Sequence, residues 1–139
     1  MSNYIFNDGG REAAGYKGTA GDCVARAIAI ACEMPYSEVY EALCGVNKAT
    51  KGKRSARSGI LTKSFDFKKY MASLGWSWTP TMLVGQGCKV HLTASELPAG
   101  RLICAVSKHY CAVIDGVIHD IYDPSREGTR CVYGYWSKK

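Results

Sequence analysis

Apolar residues at positions 24, 27, 28 and 31 fall on one face of a helix from Asp22 to about Glu33, with Asp22 as its expected N-cap. Pro35 interrupts this pattern, and a second helix is predicted through Tyr36, Val39, Tyr40 and Leu43, ending before Gly45. Phe67, Tyr70, Met71 and Leu74 repeat the helical spacing and stop at Gly75. Thr93-Ala94-Ser95-Glu96 has the form of a capping box ahead of a short helical turn. From Arg101 the period changes. Arg101 to Val106, Tyr110 to Ile114, Val117 to Ile121 and Cys131 to Trp136 read as strands, and Asp115-Gly116 is the dipeptide of a two-residue hairpin turn. Helices followed by a meandering antiparallel sheet predict an α+β architecture. No repeat or linker divides positions 1–139, so a single domain is expected.

The hairpin fixes a register. A turn at Asp115 and Gly116 pairs Ile114 with Val117, Ala112 with His119 and Cys111 with Asp120, and it sets His109 opposite Tyr122. Alternation then puts His109, Cys111 and Val113 on the face that carries Ile118, Asp120 and Tyr122, while His119 and Asp123 point the other way. Asp120 is therefore the carboxylate diagonally adjacent to His109. Asp123, before Pro124, becomes the alternative if a bulge shifts the register.

Seven cysteines, at 23, 32, 44, 88, 104, 111 and 131, lie mostly in apolar runs without the short paired spacings of a disulfide framework or zinc site. They read as small buried hydrophobes in a reducing compartment. Cys88 and His91, with Cys104 or Cys131, have no recognisable metal-ligand spacing, so neither metal nor other cofactor is expected. Val84-Gly85-Gln86-Gly87-Cys88 lacks the third glycine and strand-to-helix setting of a dinucleotide loop and reads as a turn. No apolar run approaches the roughly 20 residues that span a bilayer, and the first residues lack a signal peptide's basic and apolar regions. A soluble cytoplasmic protein with no membrane partner is the expectation.

The net charge of +6 is unevenly spread: Lys48, Lys51, Lys53, Arg54 and Arg57 crowd into positions 47–59, which read as an exposed basic loop. Such a loop suits an acidic protein or nucleic acid. No aromatic residue is interleaved in it to stack bases. Trp76, Trp78 and Trp136 read instead as core or as walls of a groove.

Cys23 opens the first helix, where the positive end of the helix dipole favours a thiolate and free backbone N–H groups can hold an oxyanion. His109 opens the hairpin. An imidazolium beside the thiol lowers its pKa and later protonates a leaving group, and a carboxylate on the other ring nitrogen fixes the imidazole's tautomer. Cys23, His109 and Asp120 are thus the expected catalytic set.

The segments Gly21-Asp22-Cys23-Val24-Ala25-Arg26-Ala27, His109 with Val113-Ile114-Asp115-Gly116, and His119-Asp120-Ile121-Tyr122-Asp123-Pro124-Ser125 resemble the papain-like cysteine peptidase superfamily. The likeness is greatest to small C39-like peptidases and to short phage or prophage proteins of that shape. It implies N-terminal helices packed on a C-terminal antiparallel sheet, a Cys23 nucleophile, a His109 base and acid, and an Asp120 orienter. Asp-Pro after a strand in C39-like proteins matches Asp123 instead. The implied activity is a cysteine hydrolase, a peptidase or isopeptidase acting on a protein or peptide through a thioester. An acyl or glutamyl transferase would use the same intermediate. Papain-like peptidases place an oxyanion Gln shortly before the nucleophile; Tyr16 to Gly21 contains none, and the chain's one Gln is Gln86. Thr19 or a backbone N–H would have to replace it. That departure and the basic loop motivate the alternative of a catalytically idle module that binds a host protein or nucleic acid.

Overall fold

The computed structural model describes residues 4–16, 22–51, 62, 64–82, 85 and 87–138. Three helices, α1 (Cys23–Cys32), α2 (Tyr36–Lys51) and α3 (Phe65–Ser73), accompany strands β1 (Tyr4–Phe6), β2 (Trp76–Pro80), β3 (Arg101–Val106), β4 (His109–Ile114), β5 (Val117–Asp120) and β6 (Gly134–Lys138). The strands form one mixed sheet in the order β1-β5-β4-β3-β6-β2. The fold is α+β, as the pattern predicts, with corrections of detail.

The sheet is buried on both faces. Ile103, Ala105, Tyr110 and Ala112 join α1, Val39, Leu43, Phe67 and Met71 in one core. Leu102, Cys104, Val106, Cys111 and Val113 alternate with them and pack beneath Leu92, Leu97 and Val132 in a second. Burial on both sides is why β3 and β4 read as near-continuous apolar runs. Alanines at 25, 27, 29 and 31 let the almost wholly buried α1 lie close against the sheet. Arg101 donates from Nε to Ala31 O (2.6 Å) and from Nη2 to Ile30 O (2.7 Å), tying the start of β3 to the C-terminal carbonyls of α1.

The predicted hairpin register is present: Ile114 pairs with Val117 and Ala112 with His119. Asp115 (φ 49°) and Gly116 (φ 81°) both occupy the left-handed region, as a two-residue hairpin turn requires. A Cβ on Gly116 would also lie 2.7 Å from Ala94 Cβ.

The sheet is not purely antiparallel, nor are the strands confined to the end of the chain. β1 adds an edge by pairing parallel with β5, and β2 adds the other by pairing with β6. The second helix runs through Gly45 to Lys51, so positions 47–51 of the expected basic loop are helical; positions 52–59 lie outside the described residues. The last expected strand starts late, at Gly134, with Cys131 forming only an isolated bridge to His91. Residues 93–96 form a turn and not a helix start, because the Glu96 carboxylate accepts from the His91 backbone N–H, Nδ1 of the His91 ring also lying 3.1 Å from it. The cysteines are not all reduced: Cys88 and Cys131 are joined in a disulfide. Among the described residues no helix is long and apolar enough to cross a membrane.

Candidate active site

α1 and the β4–β5 hairpin bring Cys23, His109 and Asp120 together. Cys23 is the first residue of α1, near enough to the His109 imidazole and the Tyr110 backbone N–H for both to favour its thiolate. His109 follows a tight turn in which Lys108 takes φ 57°. Its Nε2 lies 2.6 Å from Asp120 Oδ2, which leaves Nδ1 as the ring nitrogen for the thiol. Asp120 Oδ1 accepts from Ile121 N (2.7 Å), and the Tyr122 ring lies 5.3 Å from the imidazole, centroid to centroid. The remaining predicted alternatives sit elsewhere. Asp123 Oδ1 accepts from Ser125 N (3.0 Å) in the turn around Pro124, and His119 Nδ1 meets Asn7 Nδ2 at 3.3 Å. Thr19 and Gln86 lie outside the described residues.

The surroundings separate Cys23 from the other thiols. Burial raises its pKa, but the hydrogen bond and charge of His109, the Tyr110 N–H and the Arg26 charge outweigh burial and bring the thiol below its ordinary value. Burial instead pushes Cys32 up to about 11 and Cys104 up to about 12, and raises Cys111 well above the usual thiol range. For His109 burial lowers the pKa, and the hydrogen bonds and charges of Asp120 and Cys23 reverse this and raise it to about 9. Both shifts favour the charged pair, a thiolate beside an imidazolium, over the neutral one.

A buried ionic network behind the site is not evident from motif spacing. Asp22 stands at the N-cap position of α1, as predicted, but its side chain makes no capping hydrogen bond. Its carboxylate is fully enclosed, with Oδ2 accepting from Arg11 Nη1 (2.8 Å) and the Tyr36 hydroxyl, and Oδ1 accepting from Arg26 Nη1. Arg26 Nη2 then faces Asp120 Oδ1 at 3.7 Å. Charge therefore alternates from Arg11 through Asp22 and Arg26 to Asp120 and His109. The available signal was an aspartate and an arginine four residues apart on an otherwise apolar helix.

A cavity of about 740 Å³ adjoins the hairpin, walled by Trp78, Tyr110, Tyr133 and Trp136 with Lys68 and Lys108 among its lining. Lys108 and Tyr110 flank His109 in sequence, so the cavity lies next to the imidazole's own strand. Gly134 makes room for Trp78: a Cβ there would lie 2.3 Å from the indole Cζ2. Another cavity of about 480 Å³, beside Cys32 and Glu33, sits at the opposite end of α1.

No protein-family model, no curated protein and no solved structure matches the chain.

Proposed function

We propose that the protein is a papain-like cysteine hydrolase that cleaves an amide bond of a peptide or isopeptide. The observation that carries this reading is the placement of Cys23, at a helix N-terminus, beside a His109 whose Nε2 is hydrogen-bonded to Asp120. It supplies a nucleophile, a proton carrier and an orienting carboxylate beside one another.

The Cys23 thiolate attacks the carbonyl carbon, forming a C–S bond and an oxyanion. Collapse of that intermediate breaks the C–N bond, and the proton on His109 Nδ1 passes to the departing amine. Water then attacks the thioester, His109 takes its proton, and the acid leaves as the thiolate is restored. Asp120 holds the ring and stabilises its charged form throughout. The Cys23 backbone N–H, at the start of α1, is a donor for the oxyanion. The aromatic cavity beside His109 suits an apolar or aromatic side chain of the substrate.

The test combines reactivity and turnover. Wild type and Cys23→Ala are treated with an iodoacetamide probe at about pH 6, where an ordinary thiol is almost wholly protonated, and then offered peptide, isopeptide and activated acyl substrates with and without an added amine. Labelling at Cys23 and Cys23-dependent release of acid are expected. Transfer to the amine in preference to water would make it an acyl transferase. Labelling no faster than that of Cys32, with no Cys23-dependent turnover, would leave the idle binding module.

A further inference from the structure

Apart from the catalytic candidates, Cys88, His91 and Cys131 offer three ligand atoms that all lie within 4.8 Å of one another. His91 Nε2 is 3.6 Å from Cys88 Sγ, and its Nδ1 is 3.1 Å from Glu96 Oε1. A carboxylate on Nδ1 fixes the tautomer that presents Nε2 as a lone-pair donor, which is the arrangement behind metal-bound histidines. Two sulfurs and an imidazole suit zinc or another soft divalent ion of tetrahedral preference.

Contacts besides the disulfide also hold His91 near Cys131. Leu92 N donates to Arg130 O and Val132 N to Val90 O, each at 2.8 Å, so two backbone hydrogen bonds hold the 90–92 and 130–132 segments side by side. Leu92 and Val132 are fully buried beneath them. Cys88 is exposed and His91 and Cys131 are partly so, which admits both a reductant and an ion.

We propose that Cys88, His91 and Cys131 form a redox-gated zinc-class site, with Glu96 as the positioning residue for His91. A dithiol reductant supplies two electrons and two protons, breaking the Cys88–Cys131 bond into two thiols and leaving as its own disulfide. A divalent ion then displaces one proton from each thiol and binds both sulfurs and His91 Nε2, with water in the fourth position. Oxidation by a disulfide oxidant releases the ion and restores the bond. One pair of sulfurs thus crosslinks the loops in either state.

The test uses the full chain, reduced with dithiothreitol, desalted without oxygen and titrated with Co²⁺ as a spectroscopic stand-in for zinc. The expected result is one tightly held ion per chain with a thiolate-to-cobalt charge-transfer band, displaced by Zn²⁺. The band should survive in Cys23→Ala and be lost in Cys88→Ser, in Cys131→Ser and in oxidised wild type. Glu96→Gln, an exposed change that leaves all three ligands, should weaken zinc affinity by about 10–100-fold. A disulfide that resists excess dithiothreitol in the folded protein overturns the proposal. So does a fully reduced chain with no band, or a band that persists in Cys88→Ser.

Discussion

His109 Nε2 and Asp120 Oδ2 lie 2.6 Å apart although the two residues are not cross-strand partners. The hairpin pairs Ala112 with His119, so one step further along Cys111 faces Asp120, and His109 stands two residues beyond. The contact is diagonal, made possible by the length of the imidazole. Asp120→Asn keeps the side chain's size and removes the charge that raises the His109 pKa. Breaking this enclosed pair should cost about 3–5 kcal/mol of stability and move His109 back toward its ordinary value of 6.5, checked by urea unfolding and by NMR titration of the ring. Asp123→Asn should leave the titration unchanged.

Stability should carry the signature of that pair. A histidine raised from 6.5 to about 9 holds its proton more tightly when folded, so its contribution is complete below about pH 6.5 and is lost as pH rises through about 9. The difference in unfolding free energy between wild type and Asp120→Asn should therefore be largest at mildly acid pH and shrink over that interval. A difference that grows with pH would contradict it.

Alkylation should follow the thiolate. Cys23 is lowered chiefly because the hydrogen bond and charge of His109 oppose burial, so His109→Ala leaves burial opposed only by the Tyr110 N–H and the Arg26 charge and raises the thiol. Cys23 labelling at about pH 6 should fall more than about tenfold in that variant, while labelling of Cys32 stays as it is. Peptide mapping after timed exposure to iodoacetamide reads both.

Asp22 is the hub of the network behind the site. Asp22→Asn leaves the enclosed Arg11 and Arg26 without the carboxylate between them, an expected loss of about 3–5 kcal/mol seen in urea unfolding. Arg26 would then lean on Asp120 alone, so the same variant should also lower the His109 pKa.

Gly134→Ala tests the aromatic wall. The added methyl would meet Trp78 Cζ2 at 2.3 Å and Thr79 O at 2.9 Å. The indole must swing out, ending its packing on Trp136, now 5.4 Å between centroids. An overpacking cost of about 1–3 kcal/mol is expected, together with a changed near-ultraviolet circular dichroism signal and weaker binding of substrates that fill the cavity.

The contrast between what was legible and what was not follows the range of the forces involved. β3, α3 and the hairpin were readable because burial acts on neighbours in sequence, and Asp115-Gly116 encodes its own backbone geometry. The same register sets Asp120 diagonally beside His109. β1 has only three residues, two of them exposed, so it carries no period; its place is set by β5, more than a hundred residues away. Gly45 reads as a helix end, yet α2 packs on α1 through Val39 and Leu43 and continues past it, tertiary contact outweighing a cost of about 1 kcal/mol for an internal glycine. Cys88 and Cys131 are 43 positions apart in sequence, and no local spacing announces that they meet. Asp22 reads as a capping side chain because caps are local, whereas its side-chain partners Arg11 and Tyr36 come from a loop and another helix.

The parallel pairing of β1 with β5 sets Phe6 against Asp120, and Asn7 N donates to Asp120 O at 2.8 Å. Asp120, the last residue of β5, is thus held between β1 on one side and β4 on the other. During synthesis the Cys23 helix emerges more than eighty residues before His109, so its thiol lacks the imidazole that lowers its pKa until β4 has been made. Chain order thus makes the Cys23–His109 pairing depend on long-range closure: the thiol meets its imidazole only once α1 packs on the β4–β5 hairpin.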